Sequence, residues 1–183
     1  MPTFRVQPGT LDVMENVRAQ GRSGPRLRVA RRDGWFLLLA AAIVGVDQLT
    51  KWAIRASIER GDAVEVLPFF RIVHVTNTGA AFGMLQGAGP LLIVASLAGL
   101  AAIVVYLFNP GFAHPVVRLG LACMLGGAVG NLIDRVTEGR VVDFLKVPHW
   151  PAFNVADSAI SIGVVILLWS TLFQDTERDR SSS

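Results

Sequence analysis

The sequence predicts an all-α membrane protein whose four transmembrane helices carry a small extracytoplasmic β-sheet or loop element resting on the membrane. Apolar residues make up 52% of the 183-residue chain and charged residues only 17%, a balance that soluble domains rarely have. Four apolar stretches meet or approach the about 20 residues that a helix needs to cross the hydrocarbon layer. A loop rich in β-forming residues lies between the first two stretches.

The predicted spans cover about residues 35–54, 90–108, 116–133 and 155–173. The second span contains no charged residue and is apolar on every side, as expected for a helix surrounded by lipid. In the first span, the uncharged run from Gly34 to Val46 is too short to cross the membrane alone. The helix must therefore continue through Asp47 and Lys51, which places both residues in its outer third.

The third and fourth spans are bounded by polar residues at the same end of the predicted bundle. The third span ends at Asn131, Asp134 and Arg135. The fourth span is entered through Asn154 and has Asp157 in its first turn. Ionisable side chains at membrane depth are costly and usually mark a functional site.

Three further segments complete the predicted organisation. Residues 1–33 form an Arg-rich leader that we expect to be loosely ordered, whereas residues 34–173 form the membrane domain and residues 174–183 a polar tail. The β-rich loop occupies about residues 57–86. We expect it to form a small sheet that closes over a substrate and restricts water.

The distribution of arginines predicts the orientation of the chain, because basic residues near span ends stay in the cytoplasm. The leader is rich in arginine, and a four-span threading places Arg118 on the same side of the membrane. The loop after the first span has few basic residues, although Arg55 just before it is an exception. We therefore expect both termini in the cytoplasm and the polar clusters at the outer face.

Several classes of function are disfavoured by what the sequence contains. A single cysteine, Cys123, cannot form a disulfide within one chain, and three histidines without ligand-like spacing predict neither a metal site nor a cofactor. The arginines of the leader lack interleaved aromatic residues, which disfavours nucleic-acid binding. No serine or lysine lies in a familiar nucleophile motif. Any chemistry therefore falls to the carboxylates.

Four carboxylates lie near the predicted outer face: Asp47, Asp134, Asp143 and Asp157. Two adjacent carboxyl groups cannot both ionise comfortably, so a pair holds one proton near neutral pH. One member then acts as a base and the other as an acid. Such a pair can hydrolyse amides without a metal or a covalent intermediate.

Two of these carboxylates have an ordinary structural explanation. Asp47 lies one helical turn before Lys51, which favours an internal ion pair that neutralises both charges at depth. Asp134 adjoins Arg135, as in a solvated or salt-bridged helix end.

Alternatives also stay open for the other two carboxylates. Asp157 follows Asn154 by three residues, the spacing of a helix start, and this capping role is compatible with catalysis. Asp143 lies between the apolar residues Val142 and Phe144, and its alternative is a surface acid on an edge strand. By elimination, Asp143 with Asp157 is the preferred catalytic pair.

Five sequence blocks occur in a fixed order relative to the spans. They are Asp47-Gln-Leu-Thr-Lys51, Asn77-Thr-Gly-Ala-Ala-Phe-Gly83, Gly126-Gly-Ala-Val-Gly-Asn-Leu-Ile-Asp-Arg135, Val141-Val-Asp-Phe144 and Phe153-Asn-Val-Ala-Asp-Ser158. In order and position they resemble the bacterial lipoprotein signal peptidases, also called signal peptidase II. The resemblance covers about residues 34–173, and five blocks in register are far more specific than any one of them.

The resemblance implies an aspartic endopeptidase of the bacterial cytoplasmic (inner) membrane, with its active site at the outer face. Such an enzyme removes signal peptides from diacylglyceryl-modified prolipoproteins by cutting just before the lipidated cysteine. By motif match, Asp143 and Asp157 look like the catalytic pair. The resemblance further assigns Asn77, Gly79, Asn131, Arg135 and Asn154 to substrate binding and positioning, and Asp47 and Lys51 to a structural or supporting role. The implied partners are lipidated prolipoproteins and membrane lipids, and we expect a monomer.

Two other classes of function have to be weighed. Acids within the membrane also build pathways in small proton- or cation-coupled carriers, but those pathways need polar groups through the whole bilayer. A non-enzymatic assembly subunit would explain the glycine-rich segment from Gly126 to Gly130 as close helix packing. That second alternative leaves Asp143 and Asp157 unexplained.

Overall fold

The structure is a computed structural model that describes residues 34–79, 88–107 and 114–180, with the backbone alone for residues 173–180. The elements in chain order are α1 (Gly34–Ser57), β1 (Ala63–Leu67), β2 (Phe70–Asn77), α2 (Gly89–Leu107), α3 (Pro115–Glu138), β3 (Val141–Lys146) and α4 (Val155–Arg180). The predicted leader and the end of the predicted β-rich loop, residues 80–86, lie outside the described residues.

The predicted fold class is confirmed. Each of the four helices is long and apolar enough to cross a membrane, and a small three-stranded antiparallel sheet accompanies them. The middle of the bundle is strongly apolar, and α2 has a mean hydropathy of 2.4. In α4, the apolar segment covers Val155–Leu172 within the described side chains, and the helix backbone continues to Arg180.

The third helix is longer than its apolar run. It continues to Glu138, beyond the end expected near residue 133, and stops at Gly139, whose φ of 69° is the left-handed conformation that glycine adopts readily. Asn131 and Asp134 therefore lie inside the helix rather than after it. Their polar groups have partners on neighbouring elements, so polarity alone did not mark the helix end.

Helix α3 packs against each of the other three helices. Its glycines make this possible, because a Cβ at Gly126 would lie 2.8 Å from the carbonyl oxygen of Ala40 and one at Gly130 would lie 2.6 Å from Oδ2 of Asp47. Real Cβ atoms do not approach other atoms so closely. The expected packing role of this glycine-rich segment is thus confirmed, and it brings the polar end of α1 against α3.

The sheet has the strand order β1-β2-β3, and both pairings are antiparallel. In its described part, the β-rich loop supplies β1 and β2, whereas β3 follows α3. Val75 of β2 pairs with Asp143 of β3, two residues before Asn77. The chain then folds back, and Phe153 bridges to Leu145 just before α4 begins. This return places the start of α4 beside Asp143.

Candidate active site

A cavity of about 840 Å³ lies where β2, β3, α3 and α4 meet. Its described lining includes both carboxylates of the predicted pair, Asp143 and Asp157, together with Asn77, Asn131 and Arg135. Large apolar side chains on the same wall are Trp150, Phe153, Ile160 and Ile162. The cavity therefore combines an acidic centre with apolar sides.

Asp143 reaches the cavity from β3 and is only 3% exposed. Its Oδ1 accepts a hydrogen bond from Nδ2 of Asn154 at 2.8 Å, and its Oδ2 accepts one from Nδ2 of Asn77 at 3.2 Å. The N–H of Gly79 donates to Oδ1 of Asn77 at 2.9 Å, which turns the Asn77 NH₂ group toward Asp143. The alternative of a surface acid is wrong, because this carboxyl is buried and both its oxygens are bound.

Asp157 lies in the first turn of α4, where Asn154 caps the helix. The N–H of Asp157 donates to Oδ1 of Asn154 at 2.9 Å, and the N–H of Asn154 donates to Oδ2 of Asp157 at 3.3 Å. The expected N-cap is thus confirmed and coexists with a place on the cavity wall. The positive end of the helix favours the carboxylate form of Asp157.

Asn154 connects the two carboxyl groups and is fully buried behind the cavity wall. Besides the bond to Asp143, its NH₂ group lies within hydrogen-bond distance of Oδ1 of Asn131, at 3.1 Å, and of the carbonyl oxygen of Val142, at 3.3 Å. Asn131 in turn donates from Nδ2 to Oδ1 of Asp157 at 2.7 Å. A single asparagine therefore fixes the distance between two acids that come from different elements.

A buried ionic cluster lies behind this site and joins α1 to α3. Nζ of Lys51 is 2.8 Å from Oδ2 of Asp47 and 3.1 Å from Oδ2 of Asp134. Nη2 of Arg55 is 3.2 Å from Oδ1 of Asp134 and 3.1 Å from Oε1 of Glu138. The expected Asp47–Lys51 ion pair is confirmed. Asp134 is salt-bridged to Lys51 and Arg55 of α1, and no pair with the adjacent Arg135 is found within the described residues; it is also buried rather than solvated.

Gln48 and Arg55 make hydrogen bonds to α3 that no sequence pattern predicted. Nε2 of Gln48 lies 3.1 Å from Oδ1 of Asp134 and 3.1 Å from the carbonyl oxygen of Gly130. Both residues fall in or just after the Asp47-to-Lys51 block, which is the only sequence signal for them. Their acceptors are about 80 residues away along the chain, so the contacts depend on helix packing.

The acidity of Asp143 is strongly perturbed. Burial, and after it the nearby charge of Asp157, raises the pKa of Asp143 from 3.8 to about 7. Asp143 can therefore hold a proton near neutral pH. The arrangement provides a proton donor and a carboxylate on one cavity wall. Within residues 34–79, 88–107 and 114–180, no group of three or more His, Cys, Asp or Glu side chains is arranged to hold a metal ion.

Comparison with known proteins finds similarity along most of the membrane domain. A family model described as signal peptidase (SPase) II matches residues 39–173. A lipoprotein signal peptidase of Moorella thermoacetica is 44% identical over 147 residues, which cover 79% of this chain and 97% of that protein. One from Acinetobacter baumannii is 44% identical over 156 residues, with 81% and 88% covered. A solved structure described as a bacterial membrane enzyme has a TM-score of 0.75 and 34% identity, and covers 79% of this chain and 91% of its own.

Proposed function

Because the chain belongs to the signal peptidase II family, we propose that Asp143 and Asp157 are the catalytic pair with which this aspartic peptidase removes signal peptides from prolipoproteins. The observation that carries the assignment is that both carboxyl groups line one cavity and are bound to the same buried asparagine, Asn154. The other buried acids, Asp47 and Asp134, are neutralised by Lys51 and Arg55 and do not belong to the described lining of the cavity.

The chemistry follows from the unequal environments of the two acids. Each acid accepts two hydrogen bonds, but only Asp157 lies at the positive end of helix α4, so it is the carboxylate that takes a proton from water. Asp143 carries the shared proton and donates it toward the oxygen of the scissile carbonyl. The water oxygen adds to the carbonyl carbon. As the C–N bond breaks, Asp157 passes the proton taken from water to the leaving nitrogen, and Asp143 recovers its proton from the hydroxyl of the tetrahedral intermediate as the C=O bond re-forms.

The substrate is a prolipoprotein whose cysteine already carries a diacylglyceryl group, and cleavage occurs just before that cysteine. The acyl chains of such a substrate stay in the bilayer, so the scissile bond reaches the protein at the edge of the hydrocarbon layer. The mixed lining of the cavity, with acids beside Ile160 and Ile162, fits a polar backbone attached to an apolar anchor.

Arg135, Asn77 and Gly79 hold the substrate backbone beside the pair. Arg135 lines the cavity as a permanent hydrogen-bond donor and faces the carbonyl groups of an extended peptide. Asn77 is at the end of β2, so a peptide that enters beside it runs alongside the sheet. Asn131 and Asn154 position the carboxyl groups rather than the peptide.

The enzyme lies in the bacterial cytoplasmic (inner) membrane with both termini in the cytoplasm and the catalytic pair at the outer face. Arg55 does not oppose this orientation, because its charge is paired with Asp134 and Glu138 and is not a free basic flank. One chain supplies both carboxylates, so a monomer is sufficient for catalysis. The alternative of a proton- or cation-coupled carrier has no support, since the polar groups gather at one end of an apolar bundle.

A comparison of lipidated and unlipidated precursor tests the substrate class. We expect the purified enzyme to cleave the lipidated form with a kcat/KM at least about 10-fold higher, because the lipid anchor supplies binding energy that positions the scissile bond. The matched control is the same precursor with its cysteine changed to serine, which cannot be lipidated. Equal turnover of both forms would contradict the proposed substrate.

The raised pKa of Asp143 predicts the pH dependence of cleavage. The pair needs one proton, and Asp143 loses that proton as the pH rises through about 7. We therefore expect kcat/KM, which reports ionisations of the free enzyme, to fall on the alkaline side of about pH 7, and initial rates at low substrate concentration across this range in lipid check it. A rate that keeps rising well above this pH would show that the proton on Asp143 is not required.

A further inference from the structure

Asn131 is the link between the buried ionic cluster and the two carboxyl groups. Its Oδ1 accepts a hydrogen bond from Nζ of Lys51 at 3.0 Å and one from Nδ2 of Asn154 at 3.1 Å. Its Nδ2 donates to Oδ1 of Asp157 at 2.7 Å. One end of this amide therefore faces the cluster and the other end faces the site.

We propose that Lys51 is a positioning residue whose buried ammonium fixes the Asn131 amide with its NH₂ group toward Asp157. This inference rests on the proposed function, because Lys51 affects catalysis only through Asp157, the carboxylate that activates water. Lys51 itself touches neither substrate nor water in this role.

The amide of Asn131 has only one acceptable orientation. Turning it over would place its NH₂ group against the ammonium of Lys51 and the NH₂ group of Asn154, so that donors would face donors. It would also place Oδ1 against the carboxylate of Asp157. A buried polar group without a partner is costly, and the flipped amide would create several such contacts.

The ammonium of Lys51 is itself held in place. A lysine has three N–H donors, and the three acceptors that surround Nζ are Oδ2 of Asp47, Oδ2 of Asp134 and Oδ1 of Asn131. Lys51, Asp47 and Asp134 are each 0% exposed, so water does not compete for these bonds. All three N–H donors of Lys51 are therefore bound, and the ammonium is held beside Asn131.

The two acids of the cluster are tied to the elements that carry the catalytic pair. Oδ1 of Asp47 accepts the N–H of Ala156, in the first turn of α4, at 2.9 Å. Oδ2 of Asp134 accepts the N–H of Val142, which precedes Asp143, at 3.2 Å. Lys51 is therefore positioned relative to both carboxyl groups and not only relative to α1 and α3.

Lys51 pairs directly with Asp47 on α1 and Asp134 on α3, and its charge also acts on Asp143 of β3 and Asp157 of α4. Arg55 of α1 and Glu138 of α3 join the cluster through Asp134. Removing the ammonium alone would leave Asp47 without a cation and Asp134 with Arg55 alone. A useful variant has to remove a negative charge at the same time.

A matched pair of double variants separates the donor from the charge. Asp47→Asn with Lys51→Met removes both charges and the donor to Asn131, whereas Asp47→Asn with Lys51→Gln removes the same charges but keeps an NH₂ donor. An asparagine at position 47 keeps an oxygen for the N–H of Ala156. We expect the methionine variant to lose about 100-fold in kcat and the glutamine variant to be at least about 10-fold more active than it.

The pH profile distinguishes positioning from a merely structural role. Without a fixed donor from Asn131, the carboxylate of Asp157 is less stabilised and is protonated at higher pH. We expect the acidic, ascending limb of the kcat profile of the methionine variant to move up by about one pH unit, and that of the glutamine variant to stay near wild type. Equal losses of kcat in both variants, or no movement of the limb, would overturn the proposal.

A second compensated variant guards against a failure to fold. Asp47→Asn with Lys51→Leu removes the same charges and the same donor with a different apolar side chain, and it should show the same displaced limb if the methionine variant does not accumulate in membranes. Failure of this proposal is distinguishable from failure of the proposed function. If only the role of Lys51 is wrong, Asp143→Asn stays inactive; if the catalytic pair is wrong, Asp143→Asn still cleaves.

Discussion

Replacing either acid of the pair, as Asp143→Asn or Asp157→Asn, is expected to reduce kcat for cleavage of a lipidated precursor by about 1,000-fold or more. An amide at either position can neither take a proton from water nor hold the shared proton. The measurement is the initial rate of precursor cleavage by each purified variant in lipid. Retained cleavage in either variant would refute the assignment of the pair.

The loss should not come from unfolding. In the folded state, the pKa of Asp143 is raised to about 7, so the free energy of unfolding falls as the pH climbs from 3.8 to about 7. Above about pH 7, the buried carboxylate of Asp143 destabilises the folded protein. The Asp143→Asn variant escapes that cost but loses one hydrogen bond, for example the one from Asn77. We expect its free energy of unfolding above about pH 7 to be no lower than that of wild type, because relief of the buried charge outweighs the loss of one hydrogen bond. A matched control is Asp134→Asn, which alters a buried acid outside the described cavity lining and should retain more activity.

Replacing Asn154 is expected to have the second largest effect, because this one side chain caps α4 and donates to both Asp143 and the Asn131 amide. Asn154→Leu removes the cap oxygen of α4 and the donor to Asp143. Loss of the cap costs about 1 kcal/mol, and the unpaired buried groups cost about 1–3 kcal/mol more. We expect both a lower free energy of unfolding and a kcat reduced by about 100-fold or more.

The substitution Asn154→Asp separates these two roles. It keeps an oxygen for the N–H of Asp157, and so preserves the helix cap, but removes the NH₂ donor and adds a third carboxyl group beside the pair. We expect this variant to remain as inactive as Asn154→Leu while α4 stays capped. Thermal unfolding and cleavage rates of the two variants give the comparison. Full activity in Asn154→Asp would mean that the bond to Asp143 is dispensable.

The sequence predicted the helices well because length and apolar content alone decide which segments can cross a membrane. It misjudged the end of α3, where Asp134 looked like a helix terminus. Its carboxylate lies inside the helix because Lys51 and Arg55 neutralise it from α1. The same packing explains why Arg55 can lie at the end of α1 that we place outside. Neither fact is visible in a local stretch of sequence.

The two carboxylates preferred among four candidates, Asp143 and Asp157, line one cavity, and their catalytic role stays a prediction. Elimination led to them because the other two acids had a visible basic neighbour in the sequence, Lys51 or Arg135. What could not be predicted is the hydrogen-bond chain from Lys51 through Asn131 to Asp157, whose members are 80 and 26 residues apart. Such a chain depends on the glycines that let α1 and α4 approach α3.

The most direct test of the catalytic pair is the mass of the products formed from a lipidated precursor. Purified wild-type protein should give two products whose masses sum to that of the precursor plus one water, with the cut just before the lipidated cysteine. Asp143→Asn, incubated in parallel, should leave the precursor intact. An uncut precursor with the wild-type protein, a cut elsewhere, or the same products with the Asp143→Asn variant would contradict hydrolysis by Asp143 and Asp157.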